Sequence, residues 1–576
     1  MNPRSAWSTK NWSELSVKGR TAWLQWIMLI VVGLAIAVPR LKALNRLVTP
    51  DEHLWLARSA NFYMAISQGK LEWTYLSEHP GLTVMWAGTG GFLVRYPQYR
   101  HDGPDRVDSN EFNRYIQNAK GVSALDLLVA SRVFMILWHT LVLLVSFCYA
   151  IRIISPFPAL ISFLLIAFEP YHVALTRVLH LDGLLGNMLL LSLLAIISFL
   201  QGRRTRDLLV SAIAAGLGLL TKSPGILIVP VVGLLTLFAL RKDGLGKQER
   251  SIPRLIGGTI RISAIWGLVL IITFVALWPA MWVSPIQTIR TIVVEGWTHY
   301  ETESKTPRFF NGEIFTSDQF GIKYWYFYPI TFLFRSSPVV LFGLILLAWA
   351  ILKKRHPFES SNIQFVLLSL LLFIGVFTAA MATSDIQHDR YLLPIFAPFD
   401  IIAGLGWSSL ILSWSRKTTR GYQRYAAPMV ALLIIAFQGM LSLSVYPYYF
   451  PYYNPLLGGA RKAQVILHIG WGEGLDQAAQ YLNKKPKAGQ LEVVSYYASG
   501  CFSYYFNGRT REVSFAKGIT DDDWQKFLAS DYVVVYINQR QREIASPILD
   551  YVADLTPEYT VWINGLDYAQ VYKIHE

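Results

Sequence analysis

Residues 21–59 read TAWLQWIMLIVVGLAIAVPRLKALNRLVTPDEHLWLARS. An apolar run over 22–42 is followed at once by two adjacent carboxylates, Asp51 and Glu52, and by His53. A run of that length crosses the hydrocarbon core of a bilayer, which takes about 20 helical residues. It follows a basic segment but is too long for the core of a signal peptide, and no small-residue cleavage site follows it, so it reads as a retained span. The acids then mark the point where the chain meets water again.

Composition agrees. Of 576 residues, 53% are hydrophobic and 16% charged, against about 25% charged in an average soluble chain. Nineteen tryptophans and thirty tyrosines suit the aromatic belts of a membrane protein. The net charge of +14, from 52 basic and 38 acidic residues, lies between apolar runs. A nucleic-acid binder would gather it on one soluble face, so no nucleic-acid partner is expected. Cys148 falls in an apolar run and Cys501 near the C-terminus, which predicts neither a disulfide nor a thiolate metal site.

Ten further apolar runs follow, near 126–151, 156–170, 183–200, 208–221, 224–240, 257–281, 335–352, 363–382, 393–414 and 425–445. The expected fold is an α-helical polytopic membrane protein of about eleven transmembrane helices over 1–445. Runs 156–170 and 208–221 are short for a span. After Tyr446 the pattern changes. GEGLDQAAQYLNKK reads as an amphipathic helix, and LEVVSYYAS, DYVVVYIN and YTVWI read as strands. A small α/β domain is therefore expected over 446–576. Basic clusters at 18–20, 202–206, 241–254, 353–356 and 415–424 all fall on one side of eleven spans, and that side should be cytoplasmic. The segments 43–125, 169–182, 221–225, 282–334 and 383–392 and everything after Tyr446 are then extracytoplasmic, in a multi-pass protein of the cell membrane.

Polar residues gather in four places on that outer side. Beside Asp51 and Glu52 stands EHPGLTVMW, Glu78–Trp86. LTRVLHLDGLLG, Leu175–Gly186, supplies Arg177, His180 and Asp182. TSDIQHDRYLLP, Thr383–Pro394, supplies Asp385, His388, Asp389 and Arg390. Water explains an acid at the membrane boundary, whereas one deeper in the core costs roughly 2.5–3.5 kcal/mol and marks function. Lys222, in the turn TKSPG, can equally cap a helix end. Four clusters on one side suggest a shared cavity.

These motifs, in this order, resemble glycosyltransferase family 39, the protein O-mannosyltransferase and aminoarabinose-transferase group of the C-type membrane glycosyltransferases. The resemblance covers roughly residues 22–415. The family's first-loop acidic motif falls on Asp51 and Glu52. Its histidine- or lysine-proline-proline-leucine element falls on His79, Pro80 and Leu82, preceded by Glu78. Gly81 stands at the second proline and is expected to loosen the backbone. The second aspartate falls on Asp182, and RYLLP, Arg390–Pro394, looks like the late membrane-entry motif. The resemblance implies transfer of one sugar from a polyprenyl-phosphate donor to a protein, lipid or glycan acceptor, with inversion, outside the cytoplasm. Asp51 is then the candidate general base, since an aspartate of ordinary pKa near 3.9 is ionised at neutral pH. Glu52 and Asp182 would orient it, bind sugar hydroxyls or bind acceptor. Arg390, Lys222, His79 and Arg177 would hold the leaving phosphate, and Glu78 and His299 would contact substrate. No cofactor is assigned from these residues. A divalent ion on Glu78, His299 and Glu301 is chemically reasonable, but no ligand spacing supports one. The competing class is a transporter or lipid-linked-sugar flippase. Such proteins often carry internal repeats, and none is visible.

The positive-inside pattern makes a direct prediction. Cysteines introduced at Asn110 and at Thr520 should both react with an impermeant maleimide on intact cells. Protection of either site overturns the assigned orientation.

Overall fold

The computed structural model describes residues 20–119, 121–244, 252–304, 306–315, 324–353, 358, 360–384, 386–416, 426–511 and 519–575. Every apolar run named above is helical. Eight helices among the described residues are long and apolar enough to cross a membrane, or nine if the bent pair Phe327–Arg335 and Pro338–Leu352 counts as one. The expected eleven spans therefore include two helices that fall short. Pro156–Phe168 has 13 residues and Thr205–Thr221 has 17. At 1.5 Å per residue these rise only about 20 and 26 Å. Both are held inside the bundle.

Small residues let these helices approach. A Cβ on Gly406 would lie 2.0 Å from the Gly343 carbonyl oxygen, and one on Gly404 would lie 2.2 Å from Ser162 Oγ. Such backbone contact is how helices pack where lipid supplies no hydrophobic drive. The helix Leu181–Gly202 is the axis of the bundle, buried along its whole length.

The bent pair turns by 111° at Ser336 and Ser337. Pro338 opens the second helix, where a missing N–H costs nothing, and Ser337 Oγ accepts from Val340 N. Arg335 ends the first. Its guanidinium donates to the Tyr452 carbonyl at 3.2 Å and to Asp389, and it stacks on Phe450 and Tyr453.

The segment after the first span folds into helices Glu52–Ser67, Leu82–Arg95 and Ser109–Asn118. The helix Pro285–Ser304 leads into a hairpin of β1 (Arg308–Phe310) and β2 (Glu313–Phe315). The C-terminal part forms a five-stranded mixed sheet from β3 (Glu492–Ser495), β4 (Arg509–Arg511), β5 (Tyr532–Tyr536), β6 (Tyr559–Ile563) and β7 (Leu566–Lys573), in the order β4-β3-β5-β7-β6. Strands β3–β5 run parallel, and β7 is antiparallel to both its neighbours. The helix read in GEGLDQAAQYLNKK is confined to Leu475–Leu482.

The C-terminal domain rests on the segment after the first span. Gly470, Gly472 and Gly474 all have positive φ, and a Cβ on Gly472 would lie 2.5 Å from the Val48 carbonyl oxygen. Only glycine allows that approach. Arg46 pairs with the buried Asp476, which also accepts from Tyr448 at 2.7 Å.

Candidate active site

The first acidic motif divides into two unlike residues. Asp51 precedes the helix Glu52–Ser67, and its side chain is 28% exposed. Glu52 is fully buried. Its Oε1 accepts from Arg132 Nε at 2.7 Å and from the Leu179 amide at 2.8 Å; its Oε2 accepts from the Thr49 amide at 2.9 Å and from Arg132 Nη2. Arg132 also donates to the Leu44 and Leu47 carbonyls. Glu52 therefore has no oxygen to offer a substrate, which corrects the expectation of a catalytic contact there. It ties the residue after Asp51 to the residue before His180.

Asp182 stands in the first turn of Leu181–Gly202, with only 2% of its side chain exposed. Lys222 Nζ donates to its Oδ1 at 2.7 Å. Arg390 reaches both carboxylates, with Nη2 at 3.4 Å from Asp51 and Nε at 3.6 Å from Asp182. His180 bridges them a second time, at 3.1 Å from Asp51 through Nε2 and 3.4 Å from Asp182 through Nδ1. Asp51, Asp182, Lys222 and Arg390 thus come together from four separate stretches of chain. Burial pushes the Asp51 carboxyl up, but Arg390, His180 and Lys222 outweigh it and hold the group well below the usual carboxylate range.

Two cavities border this cluster, and a third opens among neighbouring helices. A chamber of about 200 Å³ has Asp182, Lys222, His79 and Tyr391 in its wall. The Lys222 ammonium lies 4.0 Å above the Tyr391 ring. A second, of about 280 Å³, contains Asp51, Arg390 and His388 together with Arg308 from β1 and Tyr496, Asn538 and Arg542 from the C-terminal domain. A third, about 750 Å³ and walled by apolar groups such as Tyr328, Phe332, Ile374 and Phe399, lies between the bent pair and the helices Ser361–Ala382 and Phe396–Arg416.

The remaining candidates fall in different places. His79 approaches Ser223 Oγ at 3.4 Å. Glu78 bonds Ser77, and burial raises its carboxyl less than Arg58 and His79 lower it. Gly81 is fixed, contrary to expectation. It has φ +62°, where proline cannot follow, and a Cβ would lie 2.2 Å from the Trp55 ring. Arg177 is not in any of the three cavity walls. Its guanidinium donates to the carbonyls of Pro447 at 2.6 Å and Ala43 at 2.8 Å, so it joins the chain after the last span to the chain after the first. That corrects its assignment to substrate. The side chains of His299 and Glu301, and Asp385, lie outside the described residues.

Several wall residues were not read from the sequence. Trp471 packs edge-on to His180 and under Arg390. The three alternating glycines of GWGEG were a signal for such a loop. Arg132 and Arg335, buried in apolar helices, were legible as charges a membrane would not hold alone. Arg308 and Arg542 carry no local signal.

Residues 122–276 match the family model described as dolichyl-phosphate-mannose-protein mannosyltransferase. This bears out the resemblance to glycosyltransferase family 39 over those residues. No match is found among curated protein sequences. Among solved structures, the chain is similar to ArnT from Cupriavidus metallidurans bound to undecaprenyl phosphate, at 14% identity over 97% of this chain and 99% of that one, with a TM-score of 0.47. It is also similar to the oligosaccharyltransferase AglB from Archaeoglobus fulgidus in complex with an inhibitory peptide and a dolichol-phosphate, at 12% identity over 90% and 70%, TM-score 0.45. The Saccharomyces cerevisiae Pmt1–Pmt2 complex bound to the sugar donor matches at 17% identity over 50% and 34%, TM-score 0.31.

The Glu52–Arg132 pair sets a stability prediction. Arg132→Ala strands a buried carboxylate and should cost about 3–5 kcal/mol, read as a lower unfolding temperature in detergent. An unchanged transition would mean the pair does not hold the two segments together.

Proposed function

We propose that the chain transfers one sugar, with inversion, from a polyprenyl-phosphate donor to an acceptor oxygen on the outer side of the cell membrane. The observation that carries this reading is Arg390 spanning Asp51 and Asp182, with one chamber at Asp51 and another at Asp182. In this reading the donor phosphate sits by Lys222, His79 and Arg390, and the apolar cavity takes part of the prenyl chain. The acceptor O–H faces Asp51. Its oxygen forms a bond to the anomeric carbon as the bond from that carbon to the phosphate oxygen breaks. The proton passes to the Asp51 carboxylate, and polyprenyl phosphate leaves with its charge held by Lys222 and Arg390. Asp182 fixes the two cations and does not itself need to touch the acceptor.

The depressed basicity of Asp51 has a use here. While Arg390 lies on Asp51, that carboxylate is a weak base. A donor phosphate that takes a share of Arg390 and Lys222 loosens their hold, so the base strengthens when the leaving group is in place.

The test uses a radiolabelled polyprenyl-phosphate sugar and the protein reconstituted in vesicles. A transferase consumes the donor, whereas a flippase only moves it across the bilayer. Asp51→Asn should lower turnover by about 10²–10⁴-fold without weakening donor binding, and Arg390→Ala should weaken both donor binding and turnover. Full activity in the Asp51→Asn protein would remove the base from this residue.

A further inference from the structure

The helix that carries Asp182 reads LDGLLGNMLLLSLLAIISFLQG. Apolar contacts are not directional, so a face this rich in leucine does not by itself select one register against its neighbours. Asn187 breaks the pattern. Its Nδ2 donates to His139 Nδ1 at 2.9 Å, and its Oδ1 accepts from His172 Nε2 at 3.0 Å. His172 Nδ1 in turn accepts from Arg40 Nη2 at 2.9 Å. The direction of this series is forced. A guanidinium only donates, so His172 carries its proton on Nε2, Asn187 turns its oxygen to that proton and its amino group to His139, and His139 carries its proton on Nε2. All four side chains are buried. They come from four helices, Arg20–Leu41, Pro170–Leu175, Leu181–Gly202 and Ala124–Ile154. Among the described residues Arg40 bonds only neutral groups, the Ile36 and Ala167 carbonyls and Thr176 Oγ1 besides His172. His139 Nε2 finds no acceptor there. Polar groups inside apolar helices are costly, and an unpaired buried donor more so.

We propose that Asn187 and His172 are positioning residues for the site, fixing the register of the helix that carries Asp182 and through it the placement of Lys222 and Arg390. The inference rests on the transferase reading and adds residues that act on the donor phosphate only through Asp182. The path is short. Gly183 and Asn187 lie one turn apart on the same helix face. A Cβ on Gly183 would lie 3.0 Å from His139 Cε1 and 2.7 Å from the Leu175 carbonyl oxygen. His139 therefore meets the helix at Asn187 and again at the residue beside Asp182. A one-residue slip would turn the helix by about 100° and shift it by about 1.5 Å, enough to part Asp182 from Lys222 Nζ, now 2.7 Å away. Directional bonds admit one register where leucines admit several, a use of buried polar groups known from helix pairs. Arg40 ties the same series to the end of the first span, from which the chain runs on to Asp51.

The experiment compares wild type, His172→Phe, His172→Gln and Asn187→Leu as full chains. Phenylalanine fills the space of the ring and offers no nitrogen, whereas glutamine offers one acceptor and donors, as the neutral imidazole does. Undecaprenyl phosphate affinity is measured by calorimetry and turnover with a radiolabelled polyprenyl-phosphate sugar, both per molecule that shows a cooperative unfolding transition. His172→Phe and Asn187→Leu should each weaken undecaprenyl phosphate about tenfold, as for one weakened charge-assisted bond. They should lower turnover roughly a hundredfold, the cost of a displacement near 1 Å. His172→Gln should recover most of both. A lowered unfolding temperature with unchanged affinity and turnover overturns the inference, because the series then only stabilises the bundle. So does a His172→Gln protein as impaired as His172→Phe, or failure of all three variants to fold. Wild type that binds undecaprenyl phosphate but leaves the labelled donor unconsumed removes the transferase reading alone, and the affinity series still decides the positioning role. Wild type that does neither sinks both.

Discussion

Asp182 is a carboxylate removed from water inside a helical bundle, and it requires compensation. Taking such a charge out of water costs several kcal/mol, which only close partners return. Lys222 supplies one hydrogen bond to Oδ1, and Arg390 and His180 lie at ion-pair distance from Oδ2. Each partner is delivered by a different piece of chain: the turn after Thr205–Thr221, the entry to Phe396–Arg416 and the residues leading into Leu181–Gly202. Compensating the charge of one buried carboxylate, whose Oδ1 alone is hydrogen-bonded, thus ties together three helices. Glu52 and Arg132 form a second buried pair and set where the segment after the first span lies.

Much of this was legible in the sequence because membranes leave few choices. Apolar runs near the length of a span have to be helices, and all eleven are. The site acids could be found because a charge near a span stands out against an apolar background. Their roles were less legible. Asp51 and Glu52 are neighbours of like chemistry, yet one faces a chamber and the other is enclosed, and that difference is set by Arg132, 80 residues away. Arg177 looked like a phosphate ligand because it lies near Asp182 in sequence, but its side chain turns to backbone carbonyls of distant segments. In the C-terminal domain YTVWI spans β6, while β4 and β7 were missed. β4 has only three residues, and β7 reads LDYAQVYK, too polar in its first half to signal a strand.

The C-terminal domain is part of the site and not an appendage to it. Trp471 reaches His180 and Arg390 because the glycines on both sides of it adopt backbone conformations closed to other residues. The Arg46–Asp476 pair and the contact of Gly472 with Val48 hold that loop over the residues before Asp51. A chamber with walls from both parts of the chain exists only when the two are docked.

The two short helices have a geometrical consequence. Pro156–Phe168 ends at Glu169 and Thr205–Thr221 ends at Lys222, so each stops short of the roughly 30 Å hydrocarbon thickness that the longer helices cover. Lys222, at the second of those ends, carries the ammonium bonded to Asp182, so one wall of the cluster stands on a helix shorter than a full span. A lipid-borne phosphate arriving from the side would descend into a pit of low dielectric constant, where each cation acts on it more strongly than at the membrane surface. Bilayer thickness therefore becomes a variable of that encounter, because a thinner membrane brings the phosphate plane closer to the end of a short helix.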